Sequence, residues 1–182
     1  MSQPLFEKVA FIGLGLIGSS LARVMIAEKL AKQIVASTRS QKTLNDAKAL
    51  GLIQEGYSNP VAAVQGADLV VLALPVRATQ KVLETIKPYL SEKTIITDVG
   101  STKGNVVDAA KAVYGENLPA GFVPGHPIAG ADHTGVHAGK VDLFANHKVI
   151  LTPLPTSSDW AVNKLVQLWQ AAKAEVICMD VD

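Results

Sequence analysis

The sequence predicts an α/β protein built on a doubly wound, mostly parallel sheet, and three observations carry that expectation. Short apolar runs alternate with longer amphipathic stretches along the 182 residues, the alternation that parallel strands with crossover helices require. A glycine-rich turn stands directly between the first apolar run and the first helical stretch. Finally, several apolar runs end in Gly- or Pro-containing segments that carry polar side chains, as strand ends at a ligand-binding sheet edge do.

Taken in order, the expected strands are Lys8–Ile12, Gln33–Ser37, Leu69–Ala73, Thr94–Thr97, Gly121–Val123, Lys148–Leu151 and Glu175–Cys178. Helical spacing is expected over Leu16–Leu30, Gln41–Leu50, Arg77–Tyr89, Gly104–Tyr114 and Ser157–Ala172. Right-handed crossovers between such strands wind a single sheet. No internal repeat, low-complexity tract or linker interrupts the pattern, so residues 1–182 read as one domain. The exception is His126 to His147, which holds Gly130, Gly135, Gly139 and all four histidines with little periodicity. Long irregular stretches inside compact domains are functional or disordered.

Composition narrows the partners. With 17 Lys+Arg against 16 Asp+Glu and a net charge of +1, the chain has no basic field for nucleic acid or anionic lipid. A single cysteine, Cys178, allows neither a disulfide framework nor a multi-cysteine zinc site, so no metal is expected; the cytosol is the expected compartment and Cys178, in an apolar strand, reads as inert core. The apolar run Val9–Gly18 is too short to span a membrane. It is also no signal peptide, because Glu7 stands in the would-be basic region and the apolar spacing continues through Leu21, Val24, Met25 and Leu30.

Gly13-Leu14-Gly15-Leu16-Ile17-Gly18 matches G-x-G-x-x-G in the setting that gives the pattern meaning, after a strand and opening a helix. Gly13 permits the tight turn, Gly15 removes a side chain that would block a pyrophosphate, and Gly18 lets helix and strand approach. Backbone amides of Gly15, Leu16 and Ile17 then face the phosphates at the helix N-terminus. This predicts a Rossmann-type domain binding NAD or NADP. An NAD enzyme carries Asp or Glu about 20 residues further on for the ribose 2′-hydroxyl. Here that stretch reads Ala36-Ser37-Thr38-Arg39-Ser40, which assigns Thr38 and Arg39 to the adenosine ribose and favours NADP, with Arg39 as a plain solvated residue the competing reading. Leu74 and Pro75, where the chain leaves the third strand, are expected beside the adenosine or the nicotinamide riboside.

Two further segments end strands on the same edge, Asp98-Val99-Gly100-Ser101-Thr102-Lys103 and Pro124-Gly125-His126-Pro127-Ile128-Ala129-Gly130-Ala131-Asp132. Hydride loss from a carbon bearing a hydroxyl needs an acceptor for the hydroxyl proton, and neutral histidine titrates in the useful range. His126, between Gly125 and Pro127 at a strand end, is placed for that. His133, His137 and His147 lack such a setting, and the i, i+4 pair His133/His137 has no third ligand for a metal.

The succession GLGLIGSS, ALPV, TDVGSTKG and GHPIAGAD resembles the prephenate/arogenate (cyclohexadienyl) dehydrogenase family over nearly the whole chain. The resemblance implies an NAD(P)-dependent oxidoreductase of tyrosine biosynthesis acting on prephenate or arogenate, with His126 bonding the ring hydroxyl and Ser101 supporting the hydroxyl or the histidine. Asp132 stands where that family more often has Glu, so its substrate-orienting role is weakened by the shorter side chain. The resemblance also implies a helical C-terminal domain that makes a homodimer and supplies a substrate-binding arginine. That domain is expected to be missing from this chain, which ends just after a strand that reads as buried, and the 182 residues are then expected to bind cofactor and turn over substrate poorly. Competing readings are a β-hydroxyacid dehydrogenase or pyrroline carboxylate reductase on the same fold, and a noncatalytic nucleotide-binding module.

Overall fold

A computed structural model describes residues 3–100, 103–130 and 133–179. Its main sheet has strand order β3-β2-β1-β4-β5, all parallel, formed by β1 (Phe6–Ile12), β2 (Ala31–Ser37), β3 (Glu55–Tyr57), β4 (Leu69–Leu72) and β5 (Ile95–Asp98). Helices α1 (Gly15–Ala27), α2 (Gln41–Ala49), α3 (Pro60–Val64), α4 (Val76–Ile86), α5 (Lys103–Tyr114) and α6 (Asp159–Ala171) complete the layers.

The strand period of two divides the core. Val9 and Phe11 of β1 pack with Leu21 and Met25 of α1, Leu44 of α2 and Leu165 and Trp169 of α6. Ala10 and Ile12 point the other way, toward Ala63 of α3, Leu83 and Ile86 of α4 and Val106 and Ala110 of α5. Both faces of β1 and β4 are therefore buried, which explains their near-continuous apolar sequence.

A second sheet holds β6 (Gly125–Pro127), β7 (Lys148–Leu151) and β8 (Glu175–Cys178) in that order, β6 antiparallel and β8 parallel to β7. The expected strand Gly121–Val123 is reduced to one bridge, Phe122 against Ile96; Pro119 and Pro124 on either side have no N–H to extend a ladder. The chain thus runs from the edge of the main sheet directly into β6, and His126 lies within a strand instead of in the loop expected after one.

Other departures have local causes. α1 ends at Ala27, short of Leu30, because Lys29 takes a left-handed conformation (φ 54°). α4 ends at Ile86 and finishes as a 3-10 turn through Tyr89, as Pro88 has no N–H to continue the α-helical ladder. β3 and α3 were not expected at all; they are three and five residues long, too short for either period to show. Cys178 is exposed instead of core, and β8 is exposed or half-buried throughout, because it forms the outer edge of the small sheet.

The irregular stretch before β7 is tied down. Arg23 of α1 donates to the Val136 carbonyl at 2.8 Å, and the Lys140 amide donates to Ser20 Oγ at 2.9 Å. His137 Nε2 lies 3.2 Å from Asp46 Oδ2 on α2, and the hydrogen bond from Lys42, then that from His137, holds the Asp46 carboxyl below its ordinary range. Phe144 anchors the far end edge-on to Trp169, 5.0 Å between centroids.

Candidate active site

The four central strands end level. Ile12 pairs with Ser37 and with Leu72, and Leu72 pairs with Asp98. The next residue of each strand prolongs the ladder: Gly13 N–H donates to Ser37 O at 2.8 Å, Ala73 N–H to Ile12 O at 2.8 Å and Val99 N–H to Leu72 O at 3.2 Å. Sequence order reverses between β1 and β4, so the crevice at this carboxyl edge is the topological switch point where open α/β sheets bind ligands.

Gly13 (φ +87°) cannot be any other residue, because a Cβ there would strike the Ala73 carbonyl. Gly18 is pressed similarly, its Cβ position 3.3 Å from that of Ala73. Gly15 (φ +48°) is the opposite case, since no atom lies within 4 Å of where its Cβ would be. Its lack of a side chain relieves no crowding inside the protein and instead keeps a space outside it open. Beside that space, no side chain caps α1 and its first turn holds no acidic residue, so its leading amides and positive dipole end are left to an anion. Leu14 is buried and Leu16 and Ile17 pack against the core; they offer backbone, not side chains. These features fit a dinucleotide pyrophosphate. The cradle is not local to the first strand–turn–helix unit, however, since Ala73 after β4 supports it.

At the end of β2, Thr38 Oγ1 donates to Ser40 O at 3.0 Å and accepts from Ser40 N–H at 3.2 Å, and Ser40 Oγ caps α2 by accepting from Thr43 N–H. The Thr38 hydroxyl is thus engaged in shaping the turn. Arg39 is exposed and makes no ion pair among the described residues. Leu74 is half-buried against the second core layer. Pro75 precedes α4 and lines an open groove of about 680 Å³ with Arg77, Gln80 and Asn105.

His126 is half-buried on β6, opposite Ile150, with buried Gly125 and Pro127 on either side. Ser101 and Asp132 lie outside the described residues. Among the described residues no group of three or more His, Cys, Asp or Glu is arranged to hold a metal, and no helix is long and apolar enough to cross a membrane. The residue that sequence reasoning passed over is Asp98, 3% exposed at the end of β5. Its Oδ2 accepts the Gly100 N–H at 2.9 Å and its Oδ1 the Gly125 N–H at 3.0 Å. A carboxylate closing a buried apolar strand was the available signal, since such groups are almost never fully buried without partners.

With this geometry in place, comparison with known proteins is specific. The chain is 35% identical to the cyclohexadienyl dehydrogenase of Zymomonas mobilis over 178 residues, 97% of this chain and 59% of that protein. Among solved structures, the prephenate dehydrogenase of A. aeolicus in complex with hydroxyphenyl propionate and NAD+ superposes with a TM-score of 0.87 at 29% identity, over 100% of this chain and 61% of that one. Synechocystis arogenate dehydrogenase gives 0.84 at 27% identity, over 95% and 59%. The chain therefore spans about three-fifths of the length of these relatives. The family described as prephenate dehydrogenase, nucleotide-binding domain, matches residues 21–178, and the chain belongs to that family.

Proposed function

We propose that this chain binds NAD(P) at the Gly13–Gly18 turn and carries the proton-accepting half of a site for oxidative decarboxylation of prephenate or arogenate, a cytosolic step of tyrosine biosynthesis. The observation that carries the reading is a shared carboxyl edge: a cradle kept open above Gly15 after β1, and a histidine strand hydrogen-bonded to the end of β5, two strands along in the same sheet. When bound, the dinucleotide supplies the acceptor for a hydride. The α1 amides hold its pyrophosphate, and Leu74 and Pro75 flank the riboside. His126 takes the proton from the ring hydroxyl as the carbon beneath it loses hydride, and Ser101 supports that hydroxyl. Departure of the carboxylate as CO₂ leaves its bonding pair in the ring, which becomes aromatic as the ring oxygen recovers its proton from His126, and loss of CO₂ makes the step irreversible.

Both substrates carry carboxylates that call for cationic partners. Between His126 and the end of β7 the described chain offers Lys140 and Lys148, both exposed and neither a bidentate clamp. The relatives' additional length is where such a clamp and a dimer contact would reside, with Asp132 at most orienting the substrate. The test is steady-state oxidation of prephenate and of arogenate with each cofactor, by the 182-residue chain and by a fusion to the remaining portion of the Zymomonas mobilis relative. Turnover by the fusion, with cofactor binding but little turnover by the chain, is expected. Cofactor binding without turnover in either would make this a noncatalytic module.

NADP is the expected preference, since β2 ends without a carboxylate and Arg39 is available to a 2′-phosphate. Arg39→Ala should weaken NADP by about 1–3 kcal/mol, the loss for a charge-assisted hydrogen bond, and leave NAD nearly unchanged in fluorescence titration. Equal losses for the two cofactors would show that Arg39 reads no 2′-phosphate.

A further inference from the structure

We infer that Asp98 is a positioning residue that fixes His126 relative to the end of β5, an inference that rests on the functional reading of His126 above. The carboxylate accepts the amide of Gly100 with one oxygen and that of Gly125 with the other. Gly100 adjoins Ser101 in sequence, and Gly125 adjoins His126. Two segments 25 residues apart, each leading into a residue assigned to the substrate, are therefore fastened to one side chain. Both bonds are charge-assisted, which makes them short and directional, and the one to Gly125 is buried.

The packing around this brace leaves little slack. A Cβ on Gly125 would sit 3.0 Å from the Asp98 carbonyl oxygen and 3.4 Å from Thr97 Oγ1, so the β6 backbone already approaches β5 as closely as chains do. One step back, Thr97 Oγ1 donates to the Val123 carbonyl at 2.7 Å, and on the opposite side the Thr152 amide donates to Pro124 O at 3.0 Å. These neighbouring bonds hold the strand in the sheet. Asp98 joins the residue next to the histidine to Gly100 in the loop that leaves β5. A displacement of about 1 Å in a reacting group can cost about 10²-fold in rate, and the Asp98 bonds control displacement on that scale.

The experiment is a double-mutant cycle between Asp98→Asn and His126→Asn in the fusion to the remaining portion of the Zymomonas mobilis relative, with nucleotide affinity and Tm measured for each variant. Asparagine keeps the shape of Asp98 but turns an NH₂ toward one of the two amides. Asp98→Asn is expected to lower kcat about 10–100-fold, to leave the nucleotide Kd within about threefold because the glycine turn is untouched, and to cost little further in the His126→Asn background. If Asp98→Asn does not fold, Asp98→Glu takes its place, keeping the charge while displacing the Gly125 amide by a methylene, with the same expected pattern. Unchanged kcat, or losses that multiply independently in the double variant, would overturn the positioning role and leave the functional reading standing. Full activity of His126→Asn alone would overturn that reading, and this role with it.

Discussion

His126→Asn, made in the fusion to the Zymomonas mobilis portion, is expected to lower kcat by about 10²–10⁴, the scale for losing a general base, while substrate affinity falls less. The amide of asparagine still hydrogen-bonds a hydroxyl, but it cannot accept that hydroxyl's proton at neutral pH. His126 stands on a short strand paired to β7 and flanked by buried residues, so the substitution should leave the backbone in place and the effect should be chemical. The measurement is steady-state kinetics across pH. In the wild type the limb on the acid side should report a group that must be unprotonated, and that limb should vanish in the variant. An unchanged kcat would transfer proton acceptance to another group, with Ser101 or a water next in line.

Gly15→Val should abolish nucleotide binding while the domain stays folded. The two consequences separate because the Cβ position of Gly15 meets no protein atom, so valine's methyl groups extend into the space assigned to the pyrophosphate. The folded state still bears a cost, because a β-branched residue at φ +48° sits in the left-handed region, disfavoured by about 1–2 kcal/mol. That corresponds to a Tm lower by about 2–8 °C for a chain of this size. Circular dichroism reports the fold and nicotinamide fluorescence the binding. Retained affinity would remove the pyrophosphate from this turn. The same substitution at Gly13 asks a different question, since there the side chain collides with the Ala73 backbone and the fold itself is at stake.

Long elements with strong periodicity were legible in the sequence. β1, α1, β2, α2, α5 and α6 fall within three residues of their expected limits, because burial on one or both faces imposes a pattern over several turns or strand repeats. β3 and α3 carry too few residues to express a period. Cys178 was misplaced for another reason: Glu175–Cys178 has the composition of an interior strand, and only the order β6-β7-β8 reveals that it lies at an edge. The glycine motif was readable because its chemistry is sequential. Asp98 shows in sequence only as a carboxylate closing an apolar strand; its bracing role does not, since its partner Gly125 is 27 residues away and a backbone amide leaves no mark in sequence.

The contact between Gly13 and Ala73 bears on the order in which the protein acquires its ligand. A nascent chain that has emerged only through α1 contains every residue of the glycine fingerprint but lacks the β4 backbone that sets the turn's depth and donates from Ala73 to Ile12. Because β1 lies between β2 and β4, it also stays an open edge until residues 69–72 arrive, some 60 residues after its own synthesis. On the proposed reading, nucleotide capture during translation is therefore expected to be a late event, one that helps retain a completed sheet but does not seed it.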